Sequence, residues 1–155
     1  MAIKYHHGAP GSFKTSGAIA DDLPKAVKAG RLVITNIRGI SPLRVRDVFR
    51  KVHKIEAPES FHIEVFNDEN PEDYEKLRRF YHWAPKGAMF FFDEVYNLWD
   101  PDQKEFSELD YPGGREAAER DGREPTLRSA FAKHRHYNWD FIIAAQNMCA
   151  GSAET

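Results

Sequence analysis

Gly8-Ala9-Pro10-Gly11-Ser12-Phe13-Lys14-Thr15 decides the fold class of this chain, together with the short apolar strand candidate Ala2 to His7 that leads into it. A pattern G-x-x-x-x-G-K-[ST] between a strand and a helix is a phosphate-binding loop. Its backbone N–H groups wrap the phosphates, the Lys reaches the β and γ oxygens, and the Ser/Thr hydroxyl serves Mg²⁺. Gly8, Gly11, Lys14 and Thr15 hold their places in that pattern. Phe13 stands where the last glycine belongs, and its Cβ resists the positive φ that glycine adopts freely. The ordinary alternative is a Gly/Pro turn with Lys14 as a solvated lysine, so the rest of the chain must decide.

Met89-Phe90-Phe91-Phe92-Asp93-Glu94 supplies the first context. A run of four apolar residues suits a central parallel strand buried on both faces. The two carboxylates then emerge at its C-terminal end, where ligands bind in open α/β sheets. Asp93 is placed to complete a Mg²⁺ shell with Thr15, as a Walker B aspartate does, and Glu94 to orient water or take its proton. A third segment, Trp139 to Asn147, reads as another buried strand ending in an amide. In P-loop ATPases with an extra strand between the two Walker elements, a residue at that tip senses the γ-phosphate, and Gln146 is the candidate. The plain reading of Gln146 and Asn147 is the start of a surface loop.

These segments carry a resemblance. Tyr5 to Ser16, the Phe-Phe-Phe-Asp-Glu run, and His134-Arg135-His136-Tyr137-Asn138-Trp139-Asp140 before the Gln146 strand resemble the N-terminal domain of the zonular occludens toxin family. That family includes assembly proteins of filamentous phages, and the likeness runs from about Ile3 to Met148. It implies a cytoplasmic P-loop ATPase-like domain followed by a membrane-spanning helix and a periplasmic region, using ATP to drive export and coating of single-stranded phage DNA at the inner membrane. Carried over by position, Lys14 and Thr15 match the family's phosphate and Mg²⁺ contacts, and Asp93 with Glu94 its Walker B pair. Phe13 departs from the loop pattern.

Composition is that of an ordinary globular domain. The chain has 155 residues, 41% hydrophobic and 30% charged, with a formal net charge of −2. This length supports one domain with a real core. Near-neutrality argues against a generally basic nucleic-acid coat, though not against a local basic patch. The lone cysteine, Cys149, precludes an internal disulfide and suits a reducing compartment. No stretch approaches the roughly 20 apolar residues of a bilayer span. Together with the resemblance, this gives residues 1–155 as a single domain at the cytoplasmic face of the inner membrane. The anchor is then expected beyond Thr155, with further strands of the sheet.

The remaining pattern alternates as a parallel α/β sheet requires. A helix should start at Lys14, its N-terminus facing phosphate, and break near Pro24. A strand is expected over 31–37, a basic helix begun by Ser41-Pro42 to about Lys54, and a strand over 61–66. Asn70-Pro71-Glu72-Asp73 opens a helix with Tyr74, Leu77 and Tyr81 on one face. Trp99 to Arg123, rich in charge with Gly113-Gly114 and two prolines, reads as a mobile insertion, either a contact loop or a solvated excursion. Residues 125–136 should form a helix with Leu127, Ala130, Phe131 and His134 inward.

Arg44, Arg46, Arg50, Lys51 and Lys54 could face nucleic-acid phosphates, although a cationic helix face is more often simply solvated. Arg135, just before the last strand, could reach a neighbouring protomer's γ-phosphate as an arginine finger, or pair with Asp140 to hold a turn. Seven histidines include His6-His7 and His134-x-His136. Neighbours on a strand point to opposite faces, and no cysteine or carboxylate repeat accompanies them, so packed or surface roles suffice.

The sequence therefore predicts an α/β, P-loop NTPase-like three-layer fold with a mostly parallel central sheet. ATP with Mg²⁺ is expected on Gly8, Ala9, Pro10, Gly11, Ser12, Phe13, Lys14, Thr15 and Ser16, with Thr15 and Asp93 toward the metal. Glu94, Lys14, Gln146 and Arg135 are the candidate catalytic residues. Expected partners are further copies of the chain, phage single-stranded DNA, and coat or other assembly proteins. Two other readings use the same loop. In a non-catalytic scaffold Phe13 weakens or occludes it. In a small phosphotransferase an acceptor replaces water, but an acid pair beside a Gln-tipped strand suits water better, and no arginine-rich lid is visible.

Overall fold

Along β4 (Met89–Asp93) every residue from Met89 to Phe92 is buried, and the alternation of a strand sends them to opposite faces of a sheet. Phe90 and Phe92 enter one core with Ile34, Phe141 and Ile143, while Met89 and Phe91 enter a second with Val33, Ile63 and Ile142. A strand buried on both faces needs helices above and below it, which makes three layers. The computed structural model describes residues 3–8 and 14–146, with the backbone alone described at 5–8, 14–21, 145 and 146.

Five parallel strands form the sheet: β1 (Ile3–Gly8), β2 (Leu32–Thr35), β3 (His62–Val65), β4 and β5 (Asp140–Gln146). Their order is β1-β5-β4-β2-β3. The last strand thus lies between the strand of the phosphate-loop motif and the strand of the acid pair. Helices α1 (Lys14–Ala29) and α2 (Pro42–Lys51) cover one face through Leu23, Ala26, Val27, Val45 and Phe49. The other face is covered by α3 (Pro71–Arg78) and α5 (Leu127–Ala132) through Leu77, Leu127 and Ala130. The fold is the α/β, P-loop-like arrangement that the motif order predicts. Among the described residues no helix is long and apolar enough to cross a membrane.

Local signals explain most boundaries. Ser41 caps α2, its Oγ accepting the Arg44 N–H at 3.2 Å, with Pro42 in the first turn. Asn70 caps α3 through the N–H groups of Glu72 and Asp73. Pro24 does not break the first helix as expected, for α1 continues through it to Ala29. An interior proline costs about 3 kcal/mol, and the completely buried Leu23, Ala26 and Val27 that follow and precede it offset that loss.

The expectation of a mobile excursion over 99–123 is also corrected. Leu109 is fully buried, α4 (Gly114–Asp121) buries Ala117 and Ala118, and the stretch is tied to the turn that follows α3. The Leu109 carbonyl accepts from the Tyr81 hydroxyl and from His82 Nε2, the latter at 2.8 Å. Arg123 donates to the carbonyls of Ala84 and Trp83 at 2.6 and 3.3 Å. These anchors are side chain to main chain, and such bonds leave no periodic signal in a sequence.

Candidate active site

Parallel strands end together, so the sheet has one carboxyl rim. Gly8, the last residue of β1, lies in register with Gln146, and Asp93, the last of β4, with Ala144 two residues earlier on β5. Neighbouring strands are about 4.8 Å apart, so the tips of β1 and β4 stand about 10 Å from each other across β5. Lys14 opens α1 just beyond the rim, with Thr15 and Ser16 in its first turn, and α1 packs over β1 and β5 as far as β4. The first N–H groups of a helix have no partner within it and carry partial positive charge, which suits an anion. Ala9, Pro10, Gly11, Ser12 and Phe13 lie outside the described residues, as do the side chains of Lys14, Thr15, Ser16 and Gln146.

Asp93 and Glu94 are partly buried at the tip of β4. Glu94 leaves the strand in the left-handed region, with φ 52° and ψ 54°, a conformation that costs a side-chain-bearing residue about 1–2 kcal/mol. Its N–H donates to the Ala144 carbonyl at 2.9 Å, so the strained residue is pinned to β5. On the opposite side stands a residue that sequence reading missed. Asn36, only 4% exposed at the end of β2, accepts the Asp93 N–H at 2.7 Å and donates to the Asp93 carbonyl at 2.8 Å. Its amide also donates to Asp68 Oδ2 at 3.2 Å. Asp93 and Glu94 open onto a cleft of about 510 Å³ lined also by Asn36, Arg38, Asp68, Glu69 and Asn97. Arg38 pairs with Glu69 at 2.6 Å, and these carboxylates raise its pKa further. The signal for Asn36 was present: a polar amide follows the strand-forming run Leu32-Val33-Ile34-Thr35, as Gln146 ends its own strand.

Arg135 is not brought to this rim. It is exposed in a 3-10 turn, His134–Tyr137, that leads into the amino end of β5, across the sheet from Glu94. There the Asp140 carboxylate is engaged by Arg31 at 2.5 Å. Of the five α2-region cations, Arg46 is turned inward, donating to the carbonyls of Ala57, Pro58, Glu59 and Phe61. Arg50 and Lys51 both pair with Asp47.

With this geometry in hand, the family model described as "Zonular occludens toxin (Zot)" matches residues 2–150. The chain belongs to the zonular occludens toxin family. It is 37% identical over 150 residues to the "Zona occludens toxin" of Vibrio cholerae serotype O1 (strain ATCC 39315 / El Tor Inaba N16961), an alignment covering 96% of this chain and 36% of that relative. The chain therefore spans about a third of the length of the curated relative it matches. No solved structure matches it. In this member of the zonular occludens toxin family, the segments that carried the resemblance occupy β1 with the start of α1, the tip of β4, and the approach to β5.

Proposed function

We propose that this chain binds ATP with Mg²⁺ at the carboxyl rim and hydrolyses it, as the N-terminal motor domain of a longer, membrane-anchored phage-assembly protein. The observation that carries the reading is the strand order: β5 lies between β1 and β4, so Gly8, Gln146 and Asp93 end on one rim. That is the arrangement an ATPase with an extra strand between its Walker elements requires. The donor chemistry also fits. Thr15 and Asp93 offer hard oxygen ligands, and Mg²⁺ takes one or two protein oxygens together with phosphate and water.

In this reading the amides of residues 8–16 and the Lys14 ammonium neutralise phosphate charge. Thr15 and Asp93 hold Mg²⁺, which when bound offsets charge on the β and γ oxygens. Glu94 orients the attacking water and takes its proton. Gln146 reads the γ-phosphate from the neighbouring strand tip. Arg135, at the far end of the sheet, serves only a neighbouring protomer in a ring or stacked assembly. The output is movement of phage single-stranded DNA and coat protein, at the cytoplasmic face of an inner membrane reached through a segment outside these 155 residues.

Isothermal titration calorimetry of Mg·ATP into the wild-type chain, with Lys14→Ala as control, tests this directly. Saturable heat that Lys14→Ala abolishes supports the site. A folded chain without heat at several temperatures overturns it and leaves the scaffold reading. A phosphotransferase would show ATP consumption that depends on an added acceptor.

A further inference from the structure

We infer that Asn36 is a positioning residue for the acid pair, holding the Asp93 main chain in place at the end of β4. The inference rests on the reading of Asp93 and Glu94 as the residues that serve Mg²⁺ and water. The β2–β4 register runs from Val33↔Met89 to Thr35↔Phe91 and stops there. Asp93, two residues further along β4, stays in register with β5 but lies beyond the last β2 pair. The Asn36 carboxamide takes the place of a further β2 pair, accepting the Asp93 N–H at 2.7 Å and donating to the Asp93 carbonyl at 2.8 Å. A side-chain amide presents the same donor and acceptor pair as a peptide group.

The orientation of this amide is fixed by its surroundings. Its second N–H points to Asp68 Oδ2 at 3.2 Å. Turning the amide over would set N–H against N–H and oxygen against two oxygens, so only one arrangement satisfies all three neighbours. Thr35 reinforces the anchor, its fully buried Oγ1 donating to the Phe91 carbonyl at 2.7 Å and accepting the Ile37 N–H at 3.0 Å. On the other flank, the Glu94 N–H is held by Ala144. The Asp93–Glu94 peptide is therefore gripped from β2 and from β5, which fixes the main chain from which both carboxylates project. Asn36 touches neither substrate nor metal in this account; it acts through Asp93.

Two variants test it. Asn36→Leu removes every bond at similar volume, and Asn36→Asp keeps an acceptor for the Asp93 N–H but sets an oxygen against the Asp93 carbonyl and Asp68. Hydrogen exchange of the nucleotide-free chain, resolved at Asp93, reads the clamp without any ligand. We expect faster exchange at Asp93 in Asn36→Leu, near-wild-type protection there in Asn36→Asp, and unchanged protection at Phe90 and Phe91 in both. In Mg·ATP turnover, both variants should lose kcat by about 10- to 100-fold, the usual cost of releasing a metal-site supporting residue. KM for ATP should stay within about threefold, since uniform binding is untouched, and half-maximal activity should need more Mg²⁺. Unchanged exchange at Asp93 in Asn36→Leu, or wild-type kcat in both variants, overturns the inference. If Asn36→Leu does not fold, Asn36→Asp decides by its kcat and Mg²⁺ requirement. A wild-type chain that folds but never turns over ATP overturns the underlying reading, and with it the positioning role; the exchange result then shows whether the clamp exists.

Discussion

Arg31 and Asp140, 109 positions apart in the chain, meet at 2.5 Å on the amino rim of the sheet, opposite the candidate site. The same guanidinium donates to the carbonyls of Gly87, Ala88 and Asn138 at 2.8, 3.2 and 2.9 Å. One side chain at the start of β2 thereby gathers the entries to β4 and β5. Both partners are largely buried, with side chains 19% and 14% exposed. Removing one partner of such a pair leaves a desolvated charge and typically costs about 3–5 kcal/mol. Arg31→Ala should therefore lower the stability of the chain by about 3 kcal/mol, read from urea unfolding at constant m. Because the rim it holds is the far one, any nucleotide affinity should persist wherever the variant is folded. An unchanged midpoint would falsify the clamp.

His82 makes the fold sensitive to mild acid. Burial pushes its imidazole below the ordinary value, and the nearby Arg79 and Arg123 work in the same direction; the Leu109 carbonyl and Asp110 oppose them. A histidine whose folded pKa is lowered binds fewer protons in the folded state than in the unfolded one. Its contribution is complete above the unfolded value of about 6.5 and is lost as the pH falls below it, levelling off beneath the folded value. His82→Gln keeps a donor for Leu109 but cannot titrate. The urea midpoint of wild type should fall more steeply between pH 7 and pH 5 than that of His82→Gln, with the other six histidines common to both chains. Parallel pH profiles would remove His82 from the account.

How far the sequence reveals this molecule depends on the range of the interactions involved. The strand β4 was legible because four adjacent apolar residues allow little but double-sided burial, and α2 and α3 because Ser41-Pro42 and Asn70-Pro71 write their own caps. The far half of α1 was not, since local propensity at Pro24 is outweighed by packing of Leu23, Ala26 and Val27 against strands distant in the chain. Nor was the order of the 99–123 segment, whose anchors are carbonyl groups that every residue possesses. In the site, Asp93 and Glu94 were visible as carboxylates ending an apolar run. Asn36 was not singled out, because its partner lies 57 positions away and is main chain.

Arg46 differs from the other cations around it. It donates to four carbonyls between Ala57 and Phe61 at 2.6–3.3 Å and lies 5.6 Å from the Phe61 ring centroid, so it shapes the turn into β3. Arg46→Ala should cost about 2–3 kcal/mol, since bonds to a charged donor are among the stronger ones. Arg50→Ala and Lys51→Ala, whose side chains are 61% and 68% exposed and pair with Asp47, should each change stability by less than about 0.5 kcal/mol. Chemical denaturation of the three variants decides this. Equal losses in all three would mean that Arg46 is no more structural than its neighbours. A search for nucleic-acid binding should therefore alter Arg44, Arg50, Lys51 and Lys54 and leave Arg46 in place.

Glu94 allows stability and activity to be separated at a single position. Its φ of 52° is one that glycine adopts without a steric penalty, and the N–H that binds Ala144 belongs to the main chain, so glycine keeps that bond. Relief of left-handed strain, about 1–2 kcal/mol, competes with the extra backbone entropy of glycine in the unfolded chain, about 0.5–1 kcal/mol. The net of the two is a stability for Glu94→Gly between that of wild type and about 1.5 kcal/mol above it, read from the urea midpoint at constant m. Glu94→Gln retains the strain and the side-chain volume while removing the charge, so it separates the carboxylate from the bulk of the side chain. Both variants lack the carboxylate and should lose about 10²- to 10⁴-fold in ATP turnover while still binding Mg·ATP. Retained turnover in Glu94→Gln would remove Glu94 from the chemistry. A destabilised Glu94→Gly would show instead that the Glu94 side chain helps to hold the strand tip together, and a loss shared by Glu94→Gln would assign that role to its carboxylate.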